Sequence, residues 1–202
     1  DGEAIQPNRG LNPLRDTWHL RDKFVVGYSG NLGRAHEIET LLGVIRELKD
    51  EDNICFLFIG SGVLLDSLKK IANEEGLSNL IFKPYQPSEL LPQSLTVPDV
   101  HITILRPELE GLIVPSKIYG VLAAGRPSIY IGDTQGEIGE LVTTYNAGLV
   151  VQVGDVAGLN TAILRLRDDV ADRESMGANA RRYFDENLGI RRSLEMLEQI
   201  LC

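Results

Sequence analysis

The loop after the first apolar run contains the residues best suited to binding a phosphate. It is glycine-rich, opens a helix-like segment and ends in an arginine: Gly30, Asn31, Leu32, Gly33 and Arg34. Glycines let the backbone approach a ligand closely, free N–H groups at a helix start attract an anion, and a guanidinium matches phosphate oxygens. A tight strand-to-helix turn with a solvated Arg34 explains the loop equally well. His36 likewise fits either an exposed helix start or a ligand contact.

The segment 110–127 offers a second and richer set of groups. Glu110 beside Gly111 supplies acceptors for sugar hydroxyls, while Ser116 and Lys117 fall in the first turn of a predicted helix. The helix dipole disfavours a lysine at that position unless the lysine meets an anion. We therefore predict that Ser116 and Lys117 face a phosphate.

Three other loops follow predicted strands. The turn Gly60-Ser61-Gly62 is expected to border the same region. Around Tyr85 and Gln86, a proline-flanked loop either presents backbone groups to the edge of a base or forms a rigid turn with a packed tyrosine. Capping and dipole interactions alone explain Glu137, which stands at another helix start.

From Lys23 onward, short apolar runs alternate with segments of helical periodicity. The predicted strands cover residues 24–29, 53–59, 80–82, 100–105, 128–131 and 149–151, and helices fill most of the connections. This pattern predicts an α/β fold, a doubly wound parallel sheet of the Rossmann-like type. Such sheets bind ligands beyond the carboxyl ends of their strands, where the loops described above lie.

The chain divides into three predicted parts. Residues 1–22 are polar and contain several proline, asparagine and glycine residues, which is typical of an interdomain linker rather than of an element. Residues 23–186 form the α/β domain, and residues 187–202 form a C-terminal helix. Because the sequence does not begin with Met, we expect it to be a piece cut at a domain boundary.

Composition and charge narrow the class of function. The formal net charge of −9 argues against a broad nucleic-acid surface, which needs a basic face. Cys55 and Cys202 give no disulfide framework and no metal-ligand spacing, which favours a reducing, cytoplasmic compartment. No apolar run of this chain approaches the length of a membrane span. We expect a cytoplasmic protein, and a peripheral position of the full-length protein at the inner face of the membrane stays open.

The chain from Phe24 to about Glu186 resembles the C-terminal, donor-binding domain of family-4 glycosyltransferases of the GT-B fold, and is similar to their bacterial polysaccharide WbuB-like group. Four stretches carry the likeness in the same order: Tyr28 to His36, Phe58-Ile59-Gly60-Ser61-Gly62, Glu110-Gly111 through Pro115-Ser116-Lys117 to Ala123-Ala124-Gly125-Arg126-Pro127, and Gly136-Glu137-Ile138. Each stretch alone is a weak signal, whereas the ordered set is specific.

The resemblance implies a role for each predicted group. The donor diphosphate would be lined by Gly30, Asn31, Gly33, Arg34, Ser116 and Lys117, and the base held around Tyr85 and Gln86. Glu110 is implied as the catalytic residue that meets the transferred sugar, with the backbone N–H groups of Gly111 and Leu112. The resemblance also implies a UDP- or GDP-sugar substrate, no cofactor, no metal and retention of the anomeric configuration. The acceptor domain would be N-terminal to this chain, so the isolated domain is expected to be inactive.

One position departs from the family pattern. The family places a second glutamate, which usually binds the nucleotide ribose, where this chain has Gly120. Glu110 also lies ten residues before that position, rather than the eight of the family pattern. Glu137 is our hypothesis for a replacement, from its loop position only.

Three alternatives stay open. A non-hydrolysing sugar-nucleotide epimerase shares the two-domain architecture and would epimerise a nucleotide sugar without an acceptor. A non-catalytic, nucleotide-binding GT-B homologue is compatible with Gly120. A dinucleotide-binding module would need Gly-x-Gly-x-x-Gly and an acidic residue ending the second strand, where this chain has Gly60-Ser61-Gly62.

Overall fold

A computed structural model describes residues 4–7, 10 and 12–188, and within them six parallel strands form one sheet. The strands are β1 (Phe24–Asn31), β2 (Ile54–Ser61), β3 (Leu80–Lys83), β4 (Val100–Ile104), β5 (Ser128–Ile131) and β6 (Gly148–Val151). Their spatial order is β3-β2-β1-β4-β5-β6, so the order reverses between β1 and β4. The predicted doubly wound, Rossmann-like class is confirmed, and the reversal marks the crevice where such sheets bind ligands.

Helices connect the strands and cover both faces of the sheet. They are α1 (Pro13–Thr17), α2 (Glu39–Glu47), α3 (Val63–Glu75), α4 (Leu91–Thr96), α5 (Lys117–Ala123), α6 (Glu137–Thr144), α7 (Val156–Asp168) and α8 (Val170–Asn187). Successive strand residues face opposite sides. Val26 therefore packs in the core under α2, α3 and α7, whereas Val25 packs with Trp18 and Leu20 on the other side. A further apolar cluster joins α5, α6 and α8.

The start of the chain differs from the sequence expectation. The stretch 1–22 was expected to hold no element, yet it contains α1. Asn12 caps this helix, with its side-chain oxygen 3.0 Å from the backbone N of Leu14. Arg15 then forms a two-pronged ion pair with Asp99, at 3.0 Å for each N···O contact. A cap and a long-range ion pair therefore stabilise an element that composition alone conceals.

The predicted domain boundaries stay predictions. The helix expected at residues 187–202 lies outside the described residues from 189 onward, and α8 ends at Asn187.

A close backbone approach brings the first two loops together at the carboxyl edge of the sheet. Gly30 and Gly60 are partners in the β1–β2 register. Gly60 has a φ of +139°, and a Cβ there would overlap the Gly30 carbonyl group. The turn predicted to border the site therefore lies directly against the Gly30 loop, and only glycine fits at position 60.

Candidate functional site

A cavity of about 450 Å³ opens at the carboxyl edge of the sheet, at the β1–β4 crevice. Loops that are distant in sequence meet there because parallel strands end at the same edge. The predicted site residues in its lining are Gly30, Asn31, Tyr85, Gln86, Ser116 and Lys117. The rest of the lining is largely apolar and includes Leu91, Leu95, Ile113, Val114 and Val121.

Lys117 lies at the centre of a connected set of hydrogen bonds. Its Nζ donates to the Tyr28 hydroxyl and to His36 Nε2, the latter at 2.9 Å. The Tyr28 hydroxyl donates to the Asn31 carbonyl at 2.9 Å, and His36 Nδ1 lies 2.9 Å from the Gly33 carbonyl. The Lys117 amino group beside Nε2 favours the His36 tautomer with its proton on Nδ1, which then faces the Gly33 carbonyl, while the Gly33 N–H lies 3.2 Å from the same Nδ1. The ammonium also lies 3.8 Å from the centroid of the Tyr28 ring.

Burial shifts the pKa values of the three hydrogen-bonded side chains, Lys117, His36 and Tyr28. It lowers the pKa of Lys117 to about 7. Burial and the nearby Lys117 charge lower the pKa of His36 to about 4, and burial raises the pKa of Tyr28. At neutral pH, His36 and Tyr28 are therefore uncharged, whereas Lys117 lies near the midpoint of its titration. Because an anion beside Nζ favours the charged ammonium, phosphate binding would draw a proton onto Lys117.

Sequence reasoning missed or left undecided three residues near Lys117. His36 lies in the cavity lining and, at 9% exposure, is not the exposed helix-start residue of the alternative interpretation. Tyr28 was placed in the first strand and at the start of the stretch Tyr28 to His36, without a role of its own, yet its hydroxyl links Lys117 to the loop. The Ser29 hydroxyl is buried in the lining and makes no hydrogen bond to the described residues. The signal in the sequence was the position of Tyr28 and Ser29 near the end of the first strand, and of His36 in the loop that follows it.

Arg34 and Gly33 lie outside the cavity lining. The Arg34 side chain is exposed, so this structure does not bring its guanidinium to Lys117. Gly33 contributes indirectly, since its carbonyl lies within hydrogen-bond distance of His36 Nδ1. The diphosphate role expected of both residues stays a prediction.

Glu110 lies beside the cavity rather than in its lining. Its carboxylate accepts a hydrogen bond from the Tyr130 hydroxyl and packs on Gly136, where any side chain would overlap it. Gly111 and Leu112 are exposed, Leu112 by 74%. The Leu112 N–H donates to the Leu109 carbonyl at 3.1 Å. Contrary to expectation, this N–H is therefore already bonded within the protein.

Of the two positions connected with ribose binding, one lies in the cavity lining and the other does not. Gly120 is in the cavity lining, and a Cβ there would stand 3.3 Å from Leu95 Cδ1. Glu137 is exposed at the start of α6 and outside the lining, and its charge contributes to raising the pKa values of Tyr119 and Tyr183. Glu137 contributes no group to the cavity lining, and the hypothesis that it replaces the ribose glutamate stays a prediction.

Comparison with known proteins identifies the family. The sequence profile described as glycosyl transferases group 1 matches residues 15–183. The chain belongs to this family. WcaI of Escherichia coli, whose name places it in colanic acid biosynthesis, is 30% identical over 171 residues, 81% of this chain and 42% of WcaI. LpsD of Rhizobium meliloti, a lipopolysaccharide core biosynthesis glycosyltransferase, is 30% identical over 78% of this chain and 43% of LpsD. The chain thus spans about two fifths of the length of these family members.

Solved structures agree with this fold. The C-terminal domain of the group 1 glycosyl transferase LpcC from Francisella tularensis gives a TM-score of 0.75 at 17% identity, covering 94% of this chain and 98% of that domain. HepE of Anabaena, solved with UDP-glucose, gives 0.79 at 17% identity over 99% of this chain and 55% of HepE. Together with the family match, these structures confirm the resemblance to the C-terminal domain of GT-B glycosyltransferases.

Two further features concern membranes and metals. In the part of the chain that the structure describes, no helix combines the length and apolarity needed to cross a bilayer. Within the same residues, no three His, Cys, Asp or Glu side chains come together as a set of metal ligands. Function without metal or cofactor stays a prediction.

Proposed function

We propose that this domain binds the nucleotide-sugar donor of a retaining glycosyltransferase that builds a cell-surface polysaccharide or glycolipid precursor. The observation that carries the proposal is the half-buried, hydrogen-bonded Lys117 side chain in a cavity at the switch point of the sheet. The names of WcaI and LpsD support the class of acceptor, and the UDP-glucose complex of HepE supports the class of donor.

The donor diphosphate would lie against Lys117. The lysine donates two of its three N–H groups to described residues, which leaves one for a phosphate oxygen. Ser29 and Ser116 add hydroxyl groups from the same lining. As the bond to the sugar breaks, negative charge grows on the departing diphosphate, and a fixed ammonium stabilises that charge without a metal.

Glu110 would act on the transferred sugar. Its carboxylate is held by the Tyr130 hydroxyl and by packing on Gly136, so it would keep one orientation while the sugar binds. In this arrangement it accepts hydrogen bonds from sugar hydroxyls, with the Gly111 N–H nearby. The acceptor would come from an N-terminal domain, with the complete protein in the cytoplasm or at the inner face of a membrane.

Calorimetric titration of the chain with UDP, GDP and uridine tests the proposal. One of the two diphosphates is expected to bind, and uridine, which lacks the diphosphate, is expected to bind at least tenfold more weakly than UDP where UDP binds (about 1.4 kcal/mol). A donor sugar nucleotide should not be turned over by this chain alone. If neither diphosphate binds at millimolar concentration, or if uridine binds as tightly as UDP, the proposal is wrong.

A further inference from the structure

The cavity lining contains no carboxylate among the residues that the structure describes. The chain has 29 Asp and Glu residues, so acidic side chains are abundant elsewhere. The two acidic residues connected with the site by sequence lie outside this lining. Glu110 accepts from Tyr130, and Glu137 lies near Tyr119 and Tyr183. The lining therefore offers a ligand hydroxyl no carboxylate to which it could donate a hydrogen bond.

The nucleoside of a bound donor would lie along α5. Gly120 follows Lys117 by three residues, so the two lie on one face of the helix, about 4.5 Å apart along its axis. Both line the cavity. Because only a CH2 group and an ester oxygen separate the sugar ring of a nucleoside diphosphate from its first phosphorus atom, a diphosphate at Lys117 would bring the ring beside Gly120.

The wall at Gly120 is apolar. A Cβ at position 120 would stand 3.3 Å from Leu95 Cδ1, so the methyl groups of Leu95 occupy the space beside it. The nearby polar side chains bond to backbone carbonyls: the Ser94 hydroxyl donates to Leu91 at 3.0 Å, and His101 Nε2 donates to Leu95 at 2.9 Å. A ribose hydroxyl at this wall would therefore gain no carboxylate partner.

Nucleotide sites that require ribose do so by hydrogen bonding its hydroxyls, commonly through Asp or Glu. A site built to bond a hydroxyl rejects the analogue that lacks it by about 10⁴–10⁵, whereas a site that merely encloses the group discriminates weakly. Resting on the function proposed above, we propose that this cavity does not select the 2′-hydroxyl of the nucleoside. It accepts 2′-deoxyribonucleoside diphosphates, thymidine diphosphate sugars among them, as readily as ribonucleoside diphosphates.

Paired titrations test this inference on the intact chain. UDP is compared with 2′-deoxy-UDP, and GDP with 2′-deoxy-GDP, since each pair differs by one hydroxyl. For the pair whose ribonucleotide binds, the two Kd values are expected to agree within about threefold. A larger preference for the ribonucleotide overturns the inference and leaves the proposed function intact. Failure of both ribonucleotides to bind overturns the proposed function and the inference with it.

A variant that gains a preference for the ribonucleotide tests whether the nucleoside sugar ring lies at Gly120. Gly120→Glu is expected to create a preference for the ribonucleotide of about tenfold or more, because it supplies the missing acceptor. Gly120→Ala is the matched control and should leave the ratio within about threefold. Since the new side chain meets Leu95, the double variant Gly120→Glu with Leu95→Ala is measured as well, and thermal melting checks that each variant is folded. An unchanged ratio in both folded glutamate variants would overturn the placement of the ring at Gly120.

Discussion

At its Lys117 end the cavity is polar and internally bonded, whereas at its Gly120 end it is apolar. Tyr28 and His36 form one hydrogen-bonded group with the half-buried Lys117 side chain. Around Gly120, Leu95 closes the wall and the nearby polar side chains bond to protein carbonyls. In the proposed function, the two ends of this cavity would bind different parts of the donor. Charge would hold the diphosphate, and shape would hold the nucleoside.

Removing the Lys117 ammonium is the most direct test of the difference between the two ends of the cavity. Lys117→Met keeps most of the side-chain volume and removes the charge. Diphosphate affinity is expected to fall about tenfold to a hundredfold, because a charge-assisted hydrogen bond contributes roughly 1.5–3 kcal/mol. Calorimetry measures the change, with Lys49→Met, an exposed lysine away from the cavity, as control. Equal losses in both variants would show that general charge, and not this site, governs binding.

The pH dependence of diphosphate binding tests the role of Lys117 in a second way. Free Lys117 has a pKa of about 7, and a bound diphosphate would raise that pKa. The complex therefore holds more protons than the free protein, so affinity falls as the pH rises through the pKa of free Lys117. Between pH 7.5 and 9.5, where the terminal phosphate is already ionised, the loss approaches about tenfold per pH unit. A flat profile in the unmodified chain would contradict the assignment, and Lys117→Met should be flat.

Tyr28→Phe is expected to have a smaller effect. It removes the hydroxyl that joins Lys117 to the Asn31 carbonyl but keeps the ring beneath the ammonium. Diphosphate affinity should fall about threefold to tenfold, since a neutral hydrogen bond contributes about 0.5–1.5 kcal/mol. Tyr145→Phe, at an exposed tyrosine, is the control for titration. An unchanged affinity in Tyr28→Phe would mean that the hydroxyl does not position the lysine.

The smallest effect is expected at Arg34. Its side chain is exposed and outside the cavity lining, so Arg34→Met should change diphosphate affinity by no more than about twofold. The measurement is the same titration. A tenfold loss would show that the Gly30–Arg34 loop moves onto the ligand, and it would extend the polar end beyond Lys117.

The fold was largely predictable because its elements depend on local patterns. The runs that became β1 and β2 are mostly apolar, and helical periodicity separates the predicted strands. The helix α1 was not predictable from such patterns. Its Asn12 cap is a local signal, but its ion pair joins Arg15 to Asp99, residues 84 positions apart, which no local window contains.

The polar end of the site was partly predictable, and the apolar end was not. Lys117 was identified because a lysine at a helix start needs an anion. Its partnership with Tyr28 and His36 depends on side-chain directions that only the folded sheet defines. The same holds for Leu95, which reaches Gly120 from a different helix.

The most direct test of this account is a crystal structure of the chain soaked with the diphosphate that binds in solution. The account predicts a phosphate oxygen within about 3.2 Å of Lys117 Nζ and the nucleoside sugar ring against Gly120 and Leu95. A diphosphate bound at another surface, or a nucleoside that extends away from α5, would contradict it.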